Sequence, residues 1–234
     1  MTRLCDRILS GLYAGLTPGL AIILDMDGVI VDSNPVHREA WRLYNRRFGI
    51  ETDEAMLQRM YGKRNDEIVR DYFGSSLGAA EVAEHGSAKE RLYRELIAGQ
   101  LEQALVPGIR PFLARHASSP LGLATNAEPA NVDFILDTAG LRPFFKAVVD
   151  GHQVRLPKPD PEVYLRAAQL LETPAADCIV FEDSLAGLQA ARAAGMRTVG
   201  IKTTHDSLSD ADLAVEHFLS PELEPWLGMQ KPTR

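Results

Sequence analysis

Apolar and polar positions follow two regimes along this chain. From residue 106 onward, short apolar runs alternate with stretches of helical spacing. The pattern predicts helix 109–117, strand Leu121 to Ala124, helix 128–139, strand Ala147 to Val149 and helix 160–171. Strand Cys178 to Phe181, helix 184–194, strand Thr198 to Ile201 and a last strand in Leu213 to Val215 follow. Such runs are too short for helices and read as strands covered on both faces. Alternation of this kind predicts a doubly wound parallel sheet, an α/β fold. Ala21 to Leu24 belongs to the same series but stands far ahead of it. Between it and residue 106 there is no strand-like alternation. Asn34-Pro35 offers a capping side chain and a first-turn proline for a helix over Val36 to Phe48, with Gly49 to close it. Helices 53–60, 64–73 and 79–105 follow, the last with a break expected at Gly86-Ser87. A crossover between parallel strands needs only about a dozen residues, so this stretch reads as an inserted helical subdomain. The expected division is an extension over 1–20, a core over 21–33 and 106–234, and an all-α cap over 34–105.

Leu4, Ile8, Leu9 and Leu12 have helical spacing, ended by Pro18-Gly19, while Asp6 and Arg7 interrupt any signal-peptide pattern. No apolar run approaches a membrane span. With 45% hydrophobic and 24% charged residues, the 234-residue composition is that of a globular protein. The net charge of −7 and the lack of a basic stripe speak against a nucleic-acid partner. They leave an anionic substrate open, because a metal and a few local cations reverse the sign within one cleft. Cys5 and Cys178 have no metal-binding spacing, and Cys178 reads as a small core residue. A reducing, cytoplasmic compartment is expected. Nothing implies a membrane or a protein partner.

The candidate chemistry lies where strands end, the edge at which open α/β sheets bind ligands. Asp25 and Asp27 leave the first strand at i and i+2, on one face, and Gly28 follows where the chain turns or a ligand approaches. Two carboxylates so close raise one another's pKa unless a cation lies between them. Asp-x-Asp-Gly alone also fits a calcium loop or a solvated turn. Thr125-Asn126 ends the second strand, Glu182-Asp183-Ser184 ends the fourth, and Lys158 lies between Pro157 and Pro159. Singly, these are helix caps and a surface lysine. Together, carboxylates from two strand ends suit Mg²⁺, Thr125 and Asn126 can donate to phosphoryl oxygens, and Lys158 can neutralise them. An ionised aspartate is a nucleophile towards phosphorus, and phosphoryl transfer rests on positioning and charge.

Asp25-Met26-Asp27-Gly28-Val29, Thr125-Asn126, Lys158-Pro159-Asp160-Pro161-Glu162 and Phe181-Glu182-Asp183-Ser184-Leu185-Ala186-Gly187 occur in this order. The chain thereby resembles the haloacid dehalogenase superfamily of phosphohydrolases, over residues 21 to 203. The resemblance implies a Rossmann-like core with an α-helical cap, and an aspartyl-phosphate on Asp25 with Asp27 as acid and then base. It implies Mg²⁺ held by Asp25, the Asp27 carbonyl and Asp183 with Glu182 assisting, Thr125 on the phosphoryl group, and Lys158 bridging it to the nucleophile. Asn126 joins Thr125 as a substrate ligand. His37 and Trp41, and Lys63 or Arg64 in Gly62-Lys63-Arg64-Asn65, resemble cap positions of the β-phosphoglucomutase and sugar-phosphate phosphatase branch. Packing of Trp41 in the cap core and an exposed turn at 62–65 are the plain alternatives. Mutases of that branch usually carry serine and further polar residues where this chain has Thr125-Asn126-Ala127-Glu128-Pro129. A phosphatase of a small phosphorylated metabolite is therefore expected, with a phosphosugar mutase as the alternative. A dehalogenase would not need Asp27, Glu182 and Asp183, a phosphonatase would replace Asp27, and a non-catalytic module would lack one of the groups.

Overall fold

The computed structural model describes residues 16–60 and 63–233. Strands β1 (Ala21–Leu24), β2 (Leu121–Ala124), β3 (Ala147–Val149), β4 (Cys178–Glu182), β5 (Arg197–Ile201) and β6 (Leu213–Val215) form one parallel sheet, in the order β3-β2-β1-β4-β5-β6. β1 is central: Ile22 lies opposite Leu121 of β2 on one side and Ile179 of β4 on the other. After β3 the chain crosses β1 to begin β4, so the carboxyl ends of β1, β2 and β4 surround a topological switch point.

Five helices follow β1 in the insert: α1 (Asn34–Arg46), α2 (Glu54–Gln58), α3 (Asn65–Phe73), α4 (Ala79–Ala98) and α5 (Leu101–Ala104). Two expectations fail here for local reasons. The N-cap of α1 is Ser33 rather than Asn34, and it makes no capping bond, because its hydroxyl donates to Asp27 Oδ1 at 2.6 Å. Asn34 instead donates to Thr204 Oγ1 at 2.6 Å, while Pro35 does occupy the first turn. Helix α4 runs unbroken through Gly86-Ser87. Gly86 is buried where a Cβ would touch the Asn65 side chain at 3.4 Å, so the small residue serves close packing of α3 on α4. The helix ends at Gly99 instead. Trp41 packs edge-on against Tyr72, with ring centroids 5.1 Å apart. The outgoing and returning connections run side by side: Asp32 N donates to Ala104 O at 2.7 Å and Val106 N to Ile30 O at 3.0 Å.

Beyond the insert come α6 (Ile109–Arg115), α7 (Pro129–Thr138), α8 (Glu162–Leu170), α9 (Leu185–Ala193) and α10 (Leu223–Met229). Side chains alternate across the sheet. Ile22, Leu24, Leu121, Ile179 and Phe181 share one cluster with α6, α7, α10 and the insert. Ala21, Ile23, Cys178 and Val180 share another with α8 and α9. Helices on both faces explain why β1 and β2 are apolar at every position and β4 is so up to Glu182. Cys178 is buried with a free thiol, as its core reading expected. Helix α10 has no counterpart in the sequence reading. Cys5 and the helical spacing over Leu4 to Leu12 lie outside the described residues. No helix among those described is long and apolar enough to cross a membrane.

Candidate active site at the strand ends

The core half of the site is set by β1 and β4. Asp25 N donates to Phe181 O at 3.0 Å, which prolongs the pairing by one residue. Gly28 has φ +74°, and a Cβ there would overlap the Asp183 carboxylate. The glycine thus serves the turn and the close approach of a second acid. Lys158 reaches in from the loop before α8. Its Nζ donates to Asp25 Oδ1 at 2.8 Å, Glu182 Oε1 at 2.6 Å and Ala124 O at 3.1 Å, using all three protons. Among the described residues no group donates to Asp25 Oδ2.

Glu182 is more occupied than the sequence suggested. Oε1 also accepts from Tyr164 Oη at 2.7 Å. Oε2 accepts from Asp183 N at 3.0 Å and from Ser184 N and Oγ, each at 2.9 Å. Ser184 Oγ in turn caps α9, accepting from Gly187 N at 3.0 Å. A Cβ on Gly187 would overlap the Glu182 carboxylate. Glu182 therefore orients Lys158 and braces the β4–α9 turn.

Asp25, Glu182 and Asp183 offer oxygens within 4.8 Å of one another, all buried. Three carboxylates against the single Lys158 ammonium leave an excess of negative charge. Burial lifts Asp25 to about 7, with Lys158 opposing and Glu182 and Asp27 adding to the rise. Burial, Glu182 and Asp25 hold Asp183 well above the usual carboxylate range. Burial also acts against ionised Glu182, but Lys158 and the hydrogen bonds to Ser184 and Tyr164 outweigh it and lower its pKa. Without a counter-cation, Asp25 and Asp183 thus tend to keep protons. A small hard cation fits this all-oxygen donor set.

Asp27 stands apart from that trio. Ser33 Oγ donates to its Oδ1, and His37 Nε2 lies 3.6 Å from the same oxygen. Lys89 Nζ lies 2.9 Å from His37 Nδ1. Because an ammonium only donates, this contact assigns the His37 proton to Nε2, towards Asp27. The imidazole stacks on Tyr93 at 3.8 Å. Lys89 is buried, donates to Glu90 Oε1 at 2.7 Å and lies 4.9 Å from the Trp41 ring centre. Glu90 also accepts from Asn65 and Asn131, each at 2.7 Å. Burial works against its charge, yet the Lys89 ammonium and the hydrogen bonds from Lys89 and Asn131 pull it down to about 2. Sequence reasoning missed Lys89 and Glu90. The signal was their place in the buried stripe Val82, Gly86, Lys89, Glu90, Tyr93 and Ile97, where charged residues need a reason.

Asp25, Asp27, His37, Trp41, Lys63, Arg64, Thr125, Asn126, Lys158, Glu182 and Asp183 all line one cavity. Trp41 is also almost wholly buried, so its packing and cavity roles coincide. Thr125 Oγ1 accepts from Ala127 N at 3.2 Å, which leaves its proton to donate. Asn126 Oδ1 accepts from Lys158 N at 3.2 Å. Lys63 is paired with Asp71 at 2.6 Å, and Arg64 Nε lies 3.9 Å from Asp66. Gly62 lies outside the described residues.

The model of the haloacid dehalogenase-like hydrolase family matches residues 20–195. This chain belongs to that family. It is 33% identical over 192 residues to fructose-1-phosphate phosphatase of Escherichia coli, covering 81% of this chain and 97% of that protein. It is 32% identical over 209 residues to beta-phosphoglucomutase of Bacillus subtilis, covering 87% and 92%. The crystal structure of beta-phosphoglucomutase from Clostridium difficile matches with a TM-score of 0.78 at 28% identity, over 88% of this chain and 96% of that one. In this haloacid dehalogenase-like hydrolase the matched segment includes every acid of the buried trio, Lys158 and the helices that carry His37 and Lys89.

Proposed function

We propose that this hydrolase is a Mg²⁺-dependent phosphatase that hydrolyses a small phosphomonoester, of sugar-phosphate type, through an aspartyl-phosphate at Asp25. The supporting observation is the state of Asp25: one oxygen is tied to Lys158 and the other has no protein donor among the described residues. The fructose-1-phosphate phosphatase and beta-phosphoglucomutase relatives support the sugar-phosphate class. Asp25, Asp183 and the Asp27 carbonyl would hold Mg²⁺, with Glu182 adding charge behind them. The ion, when bound, offsets charge on the phosphoryl oxygens and the acids.

Thr125 and Asn126 donate to the phosphoryl oxygens, and Lys158 holds Asp25 in line. Asp25 Oδ2 attacks phosphorus as the ester P–O bond breaks, and Asp27 gives its proton to the departing alkoxide. Asp27, now a carboxylate, takes a proton from water. The resulting hydroxide attacks phosphorus, breaks the acyl-phosphate P–O bond, and frees phosphate and Asp25. His37 and Ser33 keep Asp27 in reach of both steps. Residues 34–105 act as a cap over a core of 21–33 and 106–234, with Trp41, Lys63 and Arg64 facing the substrate from the cap side. The chain's cysteine use points to the cytoplasm. A panel of phosphorylated sugars and small alcohols with Mg²⁺ tests this reading. Stoichiometric release of inorganic phosphate from a hexose phosphate or similar monoester is expected. Interconversion of 1- and 6-phosphates with little free phosphate, or no turnover at all, would overturn it.

A further inference from the structure

The cavity wall holds two carboxylates that this chemistry does not use, Glu90, which is buried against Lys89, and Glu128. Glu128 follows the Thr125-Asn126 turn, lines the same cavity, and is the residue on which α7 begins. Its backbone is extended, at φ −71° and ψ 152°, and Pro129 opens the helix behind it. Arg94 NH1, on α4, donates to Glu128 Oε1 at 2.7 Å and to Asn131 Oδ1 at 2.6 Å. Asn131 Nδ2 is itself bound to buried Glu90, so the guanidinium is fixed from both sides. Arg94 is not among the residues that line the cavity. Among the described residues nothing donates to Glu128 Oε2. The pair therefore shows the cavity its carboxylate and keeps its guanidinium behind. Only 19% of the Glu128 side chain is exposed, which weakens solvent screening of that charge. The cap cations that line the cavity face carboxylates of their own, Lys63 on Asp71, Lys89 on Glu90 and Arg64 near Asp66.

We propose that Glu128, held by Arg94, selects the leaving group of the substrate. It accepts a hydrogen bond from a hydroxyl of the leaving group when that group is an otherwise uncharged polyol, and repels one that carries a second phosphate or a carboxylate. The inference rests on the phosphatase reading and narrows its substrate class. A carboxylate accepts strongly from a hydroxyl, whereas like charges brought together in a partly desolvated cleft repel. Selection of this kind works through the ligand it refuses.

The test compares glucose 6-phosphate with glucose 1,6-bisphosphate in the wild type, Glu128→Gln and Glu128→Lys. Glutamine keeps an oxygen for Arg94 and loses only the charge. The wild type is expected to favour the monophosphate in kcat/KM by about tenfold or more. Glu128→Gln should shrink that ratio by roughly fivefold, mainly through a lower KM for the bisphosphate, and Glu128→Lys should shrink it further. A merely structural residue would depress both substrates alike, and an unchanged ratio overturns the proposal. So does a wild type that prefers the bisphosphate. Calorimetric titration of the same two compounds into Asp25→Asn and Asp25→Asn/Glu128→Gln reads the selection without turnover. A wild type that releases no phosphate would then contradict the phosphatase reading, while the ratio of dissociation constants still decides the role of Glu128.

Discussion

Lys158 Nζ spends its three protons on Asp25, Glu182 and the Ala124 carbonyl, so no smaller or neutral side chain can replace it. Lys158→Met is expected to cost about 3–5 kcal/mol in urea unfolding, because it leaves two buried carboxylates without their partner. A loss below about 1 kcal/mol would contradict that reading. The raised carboxyls of Asp25 and Asp183 also give stability a pH dependence. Folded Asp25 keeps its proton up to about 7, whereas an unfolded aspartate loses it near 3.9. The folded state thus binds more protons in that window, and metal-free stability falls as pH rises through it. Glu90, pulled down to about 2, acts in the opposite sense but only below the ordinary carboxylate range. Thermal unfolding in chelator is therefore expected to give a lower Tm at pH 7 than at pH 5, with Mg²⁺ recovering the loss by binding the folded acids. A metal-free Tm that climbs over the same interval would refute it. At this scale Asp25, Asp27, Thr125, Lys158 and Asp183 were legible, because each follows a strand or sits in a loop where a carboxylate, hydroxyl or amine stands out. Lys89 and Glu90 were not, because an Lys-Glu pair within a long helix reads as solvated until the buried stripe is phased.

The strands were legible because β1, β2 and β4 are buried on both faces and lack polar interruption. Helix ends were less so. Ser33 gives its hydroxyl to Asp27 instead of the helix, and Gly86 buries its missing side chain against Asn65. Helix α10 shows only Leu223 and Leu227 as its buried pair, with Pro225 and Gly228 obscuring the pattern. The β4–α9 turn carries the sharpest element-level expectation. Gly187 lies in the first turn of α9, and a Cβ there would enter the Glu182 carboxylate that holds Lys158. Gly187→Ala should lower Tm by several degrees and reduce turnover at least tenfold, despite alanine's better helix propensity by about 1 kcal/mol. Wild-type Tm and turnover in that variant would show that the turn has room to give.

For the whole molecule, the helical insert meets the core through two paired connections and through Arg94 and Glu90 on the α7 side. Asp27 belongs to the core, while the Lys89 that orders its neighbour His37 belongs to the insert. Such an arrangement calls for the cap to move as a body about Val31 to Pro35 and Val106 to Gly108, closing over the substrate and excluding water. Small-angle scattering should show contraction on adding fluoroberyllate and Mg²⁺, and identical profiles would count against a moving cap. The insert was visible from the long gap without strands, whereas the hydrogen bonds that join it to α7 connect residues too far apart in the sequence to be paired by pattern. Everything in the mechanism depends on one atom, Asp25 Oδ2 as nucleophile. Turnover of the best phosphomonoester by Asp25→Asn, beside the wild type with saturating Mg²⁺, tests it most directly. The account requires a fall of at least about a thousandfold in kcat with the protein still folded by circular dichroism. A folded Asp25→Asn that retains turnover within about tenfold of wild type would contradict covalent catalysis at this residue.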